Sequence, residues 1–203
     1  MLDFFHMSLP QIVELIGYPG IFAVIFAESG LFFGFFLPGA SLLFTAGLLA
    51  SQGFFNPWIL IPLVTLAAIG GDSTGYWFGK KVGIRLFTKP DSKWFHKEHL
   101  AQAEHFYEKH GPRTILLARF LPIVRTFAPI VAGIANMRYR TFLTYNVTGA
   151  LLWATGVSSL GYFLGTKVPG VSHYLSYIIL GIILVTSIPI FIEGFKARKN
   201  QID

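Results

Sequence analysis

The sequence predicts an all-α integral membrane protein built as an inverted repeat of two units, each a re-entrant helical hairpin followed by a transmembrane helix. Three observations predict it. The chain of 203 residues is 53% apolar and only 13% charged, with a mean hydropathy of +0.58, and soluble domains carry nearly twice that charge. The apolar residues are gathered into long runs, of which Pro57–Gly79, Thr141–Thr166 and Ser172–Glu193 each reach the roughly 20 residues that cross a bilayer as a helix. And the chain matches itself at a fixed spacing. Gly70-x-x-Ser73-x-Gly75-Tyr76-x-x-Gly79-x-Lys81-Val82 recurs as Gly156-x-x-Ser159-x-Gly161-Tyr162-x-x-Gly165-x-Lys167-Val168, 86 residues on. Ala46-Gly47 recurs at the same spacing as Ala132-Gly133, and Leu66 and Ala68 recur as Leu152 and Ala154.

The first hairpin is expected at 20–52, where Gly30, Gly34, Pro38 and Gly39 interrupt an apolar stretch. A span follows at 57–79. Its Gly71-x-x-x-Gly75-x-x-x-Gly79-x-x-x-Gly83 row lets a neighbouring backbone come close. No Gly-Lys-Ser/Thr follows it, so the row is not a phosphate-binding loop.

No Lys or Arg precedes Lys80, so no cleavable signal peptide is recognisable. Eight basic residues then fall between Lys80 and Arg113. Basic clusters beside apolar spans are what the positive-inside rule produces; a nucleic-acid partner is not needed to explain the net charge of +6. A cytoplasmic 80–113 segment makes the span at 57–79 run inward and puts the N-terminus outside. Within that segment, 91–110 reads as an amphipathic linker helix ended by Gly111-Pro112. Trp94, Leu100, Ala103 and Tyr107 supply its interfacial face. Its four histidines, His96, His99, His105 and His110, have no i, i+4 pair, so no metal is expected.

The apolar stretch 113–136 must begin and end in the cytoplasm if Lys196, Arg198 and Lys199 are also to lie there. It is too short to cross twice, so it is expected to be the second re-entrant hairpin, broken at Pro122, Pro129 and Gly133. Proline removes a backbone donor and blocks the carbonyl four residues earlier, which frees Ala118 and Arg125. Spans at 141–166 and 172–193 complete the chain, with the C-terminus cytoplasmic. Inverted repeats with broken helices are a transporter architecture.

Few charges lie in apolar surroundings: Glu28, Asp72, Arg119 and Arg125, with Glu14 and Glu193 near span ends. A charge in hydrocarbon costs about 2.5–3.5 kcal/mol, so two acids and two arginines are cheapest as mutual pairs. The bland reading is a structural salt-bridge network. The functional reading has Arg119 and Arg125 gripping a phosphate, for which guanidinium suits bidentate contact. Glu28 and Asp72 then serve as charge partners and proton acceptors. Asn146, in the next span, reads as interhelical glue with a place in the pocket open to it.

These motifs resemble the DedA family, also called the VTT or SNARE-associated domain family. The resemblance rests on Glu28-Ser29-Gly30, Phe36-Leu37-Pro38-Gly39, Gly71-Asp72-x-x-Gly75-Tyr76-x-x-Gly79, Arg119-Phe120-x-x-x-x-Arg125-x-x-x-Pro129-x-x-Ala132-Gly133 and Phe142-x-x-x-Asn146-x-x-Gly149-x-x-x-Trp153. It covers roughly 20–165. It implies two opposed re-entrant hairpins in a bacterial inner-membrane protein that handles undecaprenyl phosphate or phosphatidylethanolamine. It also implies dependence on Glu28, Arg119 and Arg125, and for some members on the proton-motive force. Many members have an acid after the Pro-Gly, where this sequence has Ala40. Either Glu28 and Asp72 suffice for proton coupling, or this member moves lipid downhill.

The function expected is therefore a flippase or scramblase for a phosphate-headed lipid, with no cofactor. A proton-coupled antiporter for small cations or drugs would use the same acids but needs no arginine pair. A lipid phosphatase would need a nucleophile or acid/base histidine near the arginines, and all six histidines lie outside the hairpins. The small size and twofold repeat are compatible with a homodimer.

Overall fold

Ser8-Leu9-Pro10-Gln11 ahead of an apolar run is a helix start, because proline in the first turn has no intrahelical donor to lose. In the computed structural model, which describes residues 8–31, 37–83, 107, 111–119, 121–168 and 181, helix α1 spans Leu9–Gly30. The Gln11 side chain closes its first turn by accepting from the Ser8 N–H at 2.8 Å. Gly17, at φ +57, kinks the helix two residues ahead of Pro19. The segment expected to open a hairpin at Gly20 is thus the later part of a 22-residue helix, long and apolar enough to cross a bilayer.

Helix α2 (Gly39–Ser51) starts at Pro38-Gly39 and is buried without interruption from Ser41 to Ala50. A helix apolar on every side belongs inside a bundle, and 13 residues do not cross a bilayer. Helix α3 (Pro57–Phe78) is capped by Asn56, whose side chain accepts from the Trp58 N–H at 2.9 Å. Replacing Asn56 by Ala is expected to cost about 1 kcal/mol. Thermal unfolding in detergent would read this as a lowered Tm with the fold otherwise intact.

A π turn over Gly79–Gly83 ends α3. After Gly111, which takes the left-handed conformation at φ +71, come α4 (Arg113–Ala118) and α5 (Pro122–Ile134). Helix α6 spans Tyr139–Lys167.

The second hairpin segment is therefore two short helices, one ending at Ala118 and the next beginning at Pro122. The carbonyl that Pro122 frees at Ala118 is taken by the Leu121 N–H at 2.9 Å. Pro129 and Gly133, expected to help break this segment, lie inside α5 instead. Their surroundings explain it: a β-carbon added to Gly75 of α3 would lie 3.5 Å from the Pro129 Cβ, and Gly133 packs on the α3 backbone. Packing holds the helix together where one lost hydrogen bond does not break it.

Among the described residues, three helices are long and apolar enough to span a membrane: Leu9–Gly30, Pro57–Val82 and Tyr139–Lys167. The last two match the spans expected at 57–79 and 141–166. The span at 172–193 lies outside the described residues except for position 181, and the linker at 91–110 lies outside them except for Tyr107. Tyr107 does not join a lipid-facing surface as expected. It is buried, and its hydroxyl donates to the Ala128 carbonyl at 2.9 Å.

Helix α3 is central: α1, α5 and α6 pack on it, while α2 lies mainly on α6. Where α1 meets α3, a β-carbon on Gly30 would come within 2.8 Å of the Gly71 carbonyl oxygen. Among the described residues two apolar clusters result. One gathers Ile21, Leu43, Val64 and Trp153, and the other Tyr76, Ile115, Ala132 and Phe142. Outward, Trp58, Leu66, Leu117, Leu152 and Phe163 are all exposed. That much apolar surface suits hydrocarbon as the surrounding solvent.

Candidate functional site

The four charges predicted to pair do lie together, as Arg119 with Asp72 and Arg125 with Glu28. Arg119 sits in the interruption between α4 and α5, next to Ala118. Its Nη2 donates to Asp72 Oδ2 of α3 and to Asn146 Oδ1 of α6 at 2.6 Å. Asn146 is fixed in turn, since its Nδ2 donates to the Ile69 carbonyl at 3.2 Å. Gly149 keeps α6 thin beside this arginine: a β-carbon there would stand 3.3 Å from Arg119 Nε.

Arg125 lies on the first turns of α5. Its Nη1 is 3.5 Å from Glu28 Oε1, and its Nη2 donates to Ser29 Oγ at 3.3 Å. The guanidinium carbon stands 4.1 Å from the centre of the Trp153 ring. Stacking on tryptophan holds the cation's plane while leaving its donor edge free to choose partners. Glu28, at the end of α1, faces the start of α2, and its carboxylate fills the space that a β-carbon on Gly39 would need. Pro38-Gly39 therefore act together, turning the chain and making room for the acid.

All four charged residues are buried, with exposures of 4% for Arg119, 7% for Arg125, and 6% for both Glu28 and Asp72. Their side-chain charges sum to zero, which limits the cost of desolvation. Satisfaction is nonetheless incomplete. Arg119 Nη1 and Glu28 Oε2 are buried without a hydrogen-bond partner among the described residues. An unused guanidinium donor is a place for an anion oxygen.

Ser29 and Trp153 were not singled out by residue chemistry; a serine and a tryptophan are ordinary in apolar helices. The signal for Trp153 was positional. Phe142, Asn146, Gly149 and Trp153 recur at three- and four-residue steps, which puts them on one helix face. Among the described residues no group of three or more His, Cys, Asp or Glu is placed to hold a metal. The four histidines of 91–110 lie outside those residues. A separate, mostly apolar cavity of about 240 Å³ opens beside Gly47, Trp58, Ile61 and Phe163, and none of the four charges lines it.

Fold and site together define a multi-pass α-helical membrane protein with a paired, charged interior. The chain belongs to the DedA, or VTT-domain, family: the family model named VTT domain matches residues 37–163. It is 45% identical to Protein DedA of Escherichia coli strain K12 over 207 aligned positions, covering 98% of this chain and 94% of that one. It is 44% identical to the uncharacterised membrane protein ML0287 of Mycobacterium leprae, covering 90% and 82%. With the uncharacterised membrane protein slr0232 of Synechocystis it shares 34% identity, covering 82% and 76%. No solved structure matches the chain.

Proposed function

We propose that this protein is a transporter, not an enzyme, and that it carries a phosphate-headed lipid between the leaflets of the bacterial inner membrane. Undecaprenyl phosphate and phosphatidylethanolamine are the candidate substrates. The observation that carries the reading is the buried arginine pair with an unused donor on Arg119. In this reading Asp72 and Glu28 hold the guanidinium groups while the site is empty, and phosphate oxygens replace them when lipid enters. A phosphate adds negative charge to a neutral buried cluster, which is costly. Uptake of a proton by Glu28 or Asp72 restores neutrality, so those acids are the route by which a proton gradient would couple to transport. Ala40 stands where many members of the family have an acid after Pro-Gly, which leaves this coupling to the two acids present.

The arrangement of elements that suits this reading is two opposed re-entrant units, 20–52 and 113–136, meeting at the charge network. The N-terminus then lies outside and the C-terminus in the cytoplasm. One chain contains all four charges, so a homodimer is compatible with the mechanism but not required by it.

Leaflet exchange in proteoliposomes tests the proposal. Labelled undecaprenyl phosphate, phosphatidylethanolamine and a phosphate-free glycolipid are compared for wild type and Arg119→Ala/Arg125→Ala. Exchange of at least one phosphate lipid, absent for the glycolipid and reduced tenfold or more in the double variant, is the expected result. If neither phosphate lipid exchanges, with or without a proton gradient, the reading fails and the cation antiporter takes its place.

A further inference from the structure

The internal match places equivalent residues on two helix pairs, α2 on α6 and α5 on α3. In the first pair a β-carbon on Gly47 would strike the Ser158 carbonyl, and one on Gly161 the Phe44 carbonyl. In the second pair a β-carbon on Gly133 would strike the Tyr76 carbonyl, and one on Gly79 the Ile130 carbonyl. Both interfaces are thus glycine-to-carbonyl contacts between backbones that touch.

They are not in the same register. Gly47 and Gly133 are equivalent, yet Ser158 is the counterpart of Asp72 rather than of Tyr76. Phe44 and Ile130 are likewise equivalent, yet Gly161 is the counterpart of Gly75 rather than of Gly79. Each contact is displaced by four residues in the same sense along the longer helix. Four residues are one turn, about 6 Å.

Each long helix also carries the glycine that the other register needs. Gly75 on α3 stands one turn before Gly79, the first residue of the π turn that ends the helix, and Gly165 stands one turn after Gly161 on α6. In the register seen, Gly75 already faces α5, and an added β-carbon would find the Pro129 Cβ at 3.5 Å, an ordinary contact. Backbones packed this closely favour discrete registers over continuous sliding, and one-turn ratchets of this kind are a known switching mode.

We propose that α5 has two seats on α3, one at Gly79 and one at Gly75, and that stepping between them moves the arginine site. The inference rests on the transport reading for its purpose, though not for its geometry. Arg125 rides on α5, whereas Glu28 and Ser29 belong to α1, which is held to α3 by the Gly30–Gly71 contact. A step of about 6 Å takes Arg125 beyond hydrogen-bond reach of both partners. It brings Gly133 opposite the Asp72 backbone, as Gly47 now sits opposite Ser158. The break that follows Ala118 precedes the moving helix and can absorb the shift at its head.

The chain has no cysteine, so spin labels can be placed at Leu66→Cys on α3 and Leu121→Cys at the head of α5, both exposed. Pulsed electron resonance is then recorded in nanodiscs of phosphatidylethanolamine and phosphatidylglycerol. Two label distances separated by up to about 6 Å are expected. Gly75→Ala fits the register seen but would strike the Ile130 carbonyl in the other, so it should leave only the first distance. Gly79→Ala does the reverse. If Gly79→Ala does not fold, Gly75→Ala decides alone. A single distance in wild type, or a second distance that survives Gly75→Ala, overturns the two-seat proposal. Because the readout involves no lipid transfer, two distances in a protein that exchanges no lipid would keep the step and remove only the transport reading.

Discussion

Arg119→Ala is expected to destabilise the folded protein by about 3–5 kcal/mol, the cost of leaving a buried carboxylate without its partner. Asp72 and Asn146 both lose their donor, and neither is exposed enough for water to replace it. Removing the acid as well should reverse most of that loss. Asp72→Ala/Arg119→Ala leaves no unpaired charge at this position, and exchanging a buried pair for apolar groups is often neutral. The double variant therefore separates two roles. If it unfolds at nearly the wild-type denaturant concentration yet exchanges no lipid, Arg119 acts on substrate. If it is stable and still exchanges phosphate lipid, the Arg119–Asp72 pair is scaffolding alone.

The second large effect belongs to a residue without a side chain. In Gly39→Ala the new β-carbon would overlap the Glu28 carboxylate. Either Glu28 leaves Arg125, or the turn at Pro38-Gly39 opens. Exchange activity should fall tenfold or more, as far as in Glu28→Gln, while Gly156→Ala, with nothing within 4 Å of the added carbon, serves as the silent control. Activity of Gly39→Ala near that of the control would mean that Glu28 does not hold Arg125 in the working protein.

The spans at 57–79 and 141–166 were legible because a bilayer demands apolar length, and length can be read directly. The charge cluster was legible for the same reason: Glu28, Asp72, Arg119 and Arg125 stand out only against an apolar background. The first helix was harder. The hairpin was expected to open at Gly20, but the chain there is already helical, running from Leu9 to Gly30 through a kink at Gly17. Pro129 misled in the same way, because a sequence shows the hydrogen bond that proline removes and not the α3 packing that offsets it. The helix face that Trp153 shares with Asn146 and Gly149 was legible, but its role was not, since a ring face is placed under Arg125 by a packing that only the tertiary structure defines.

The crossed seating of the short helices bears on how such a chain could have arisen. Helix α2, from the first copy, lies against the long helix of the second copy, and α5, from the second, against that of the first. A single ancestral copy would have had an inner helix with no seat and a long helix with a bare glycine face. Trading those helices with a sister molecule would complete it. Fusing two such genes turns that reciprocal exchange into an intramolecular one. The halves are then free to diverge, which is how one can keep its arginines while the other has Phe33 and Gly39 at the matching positions.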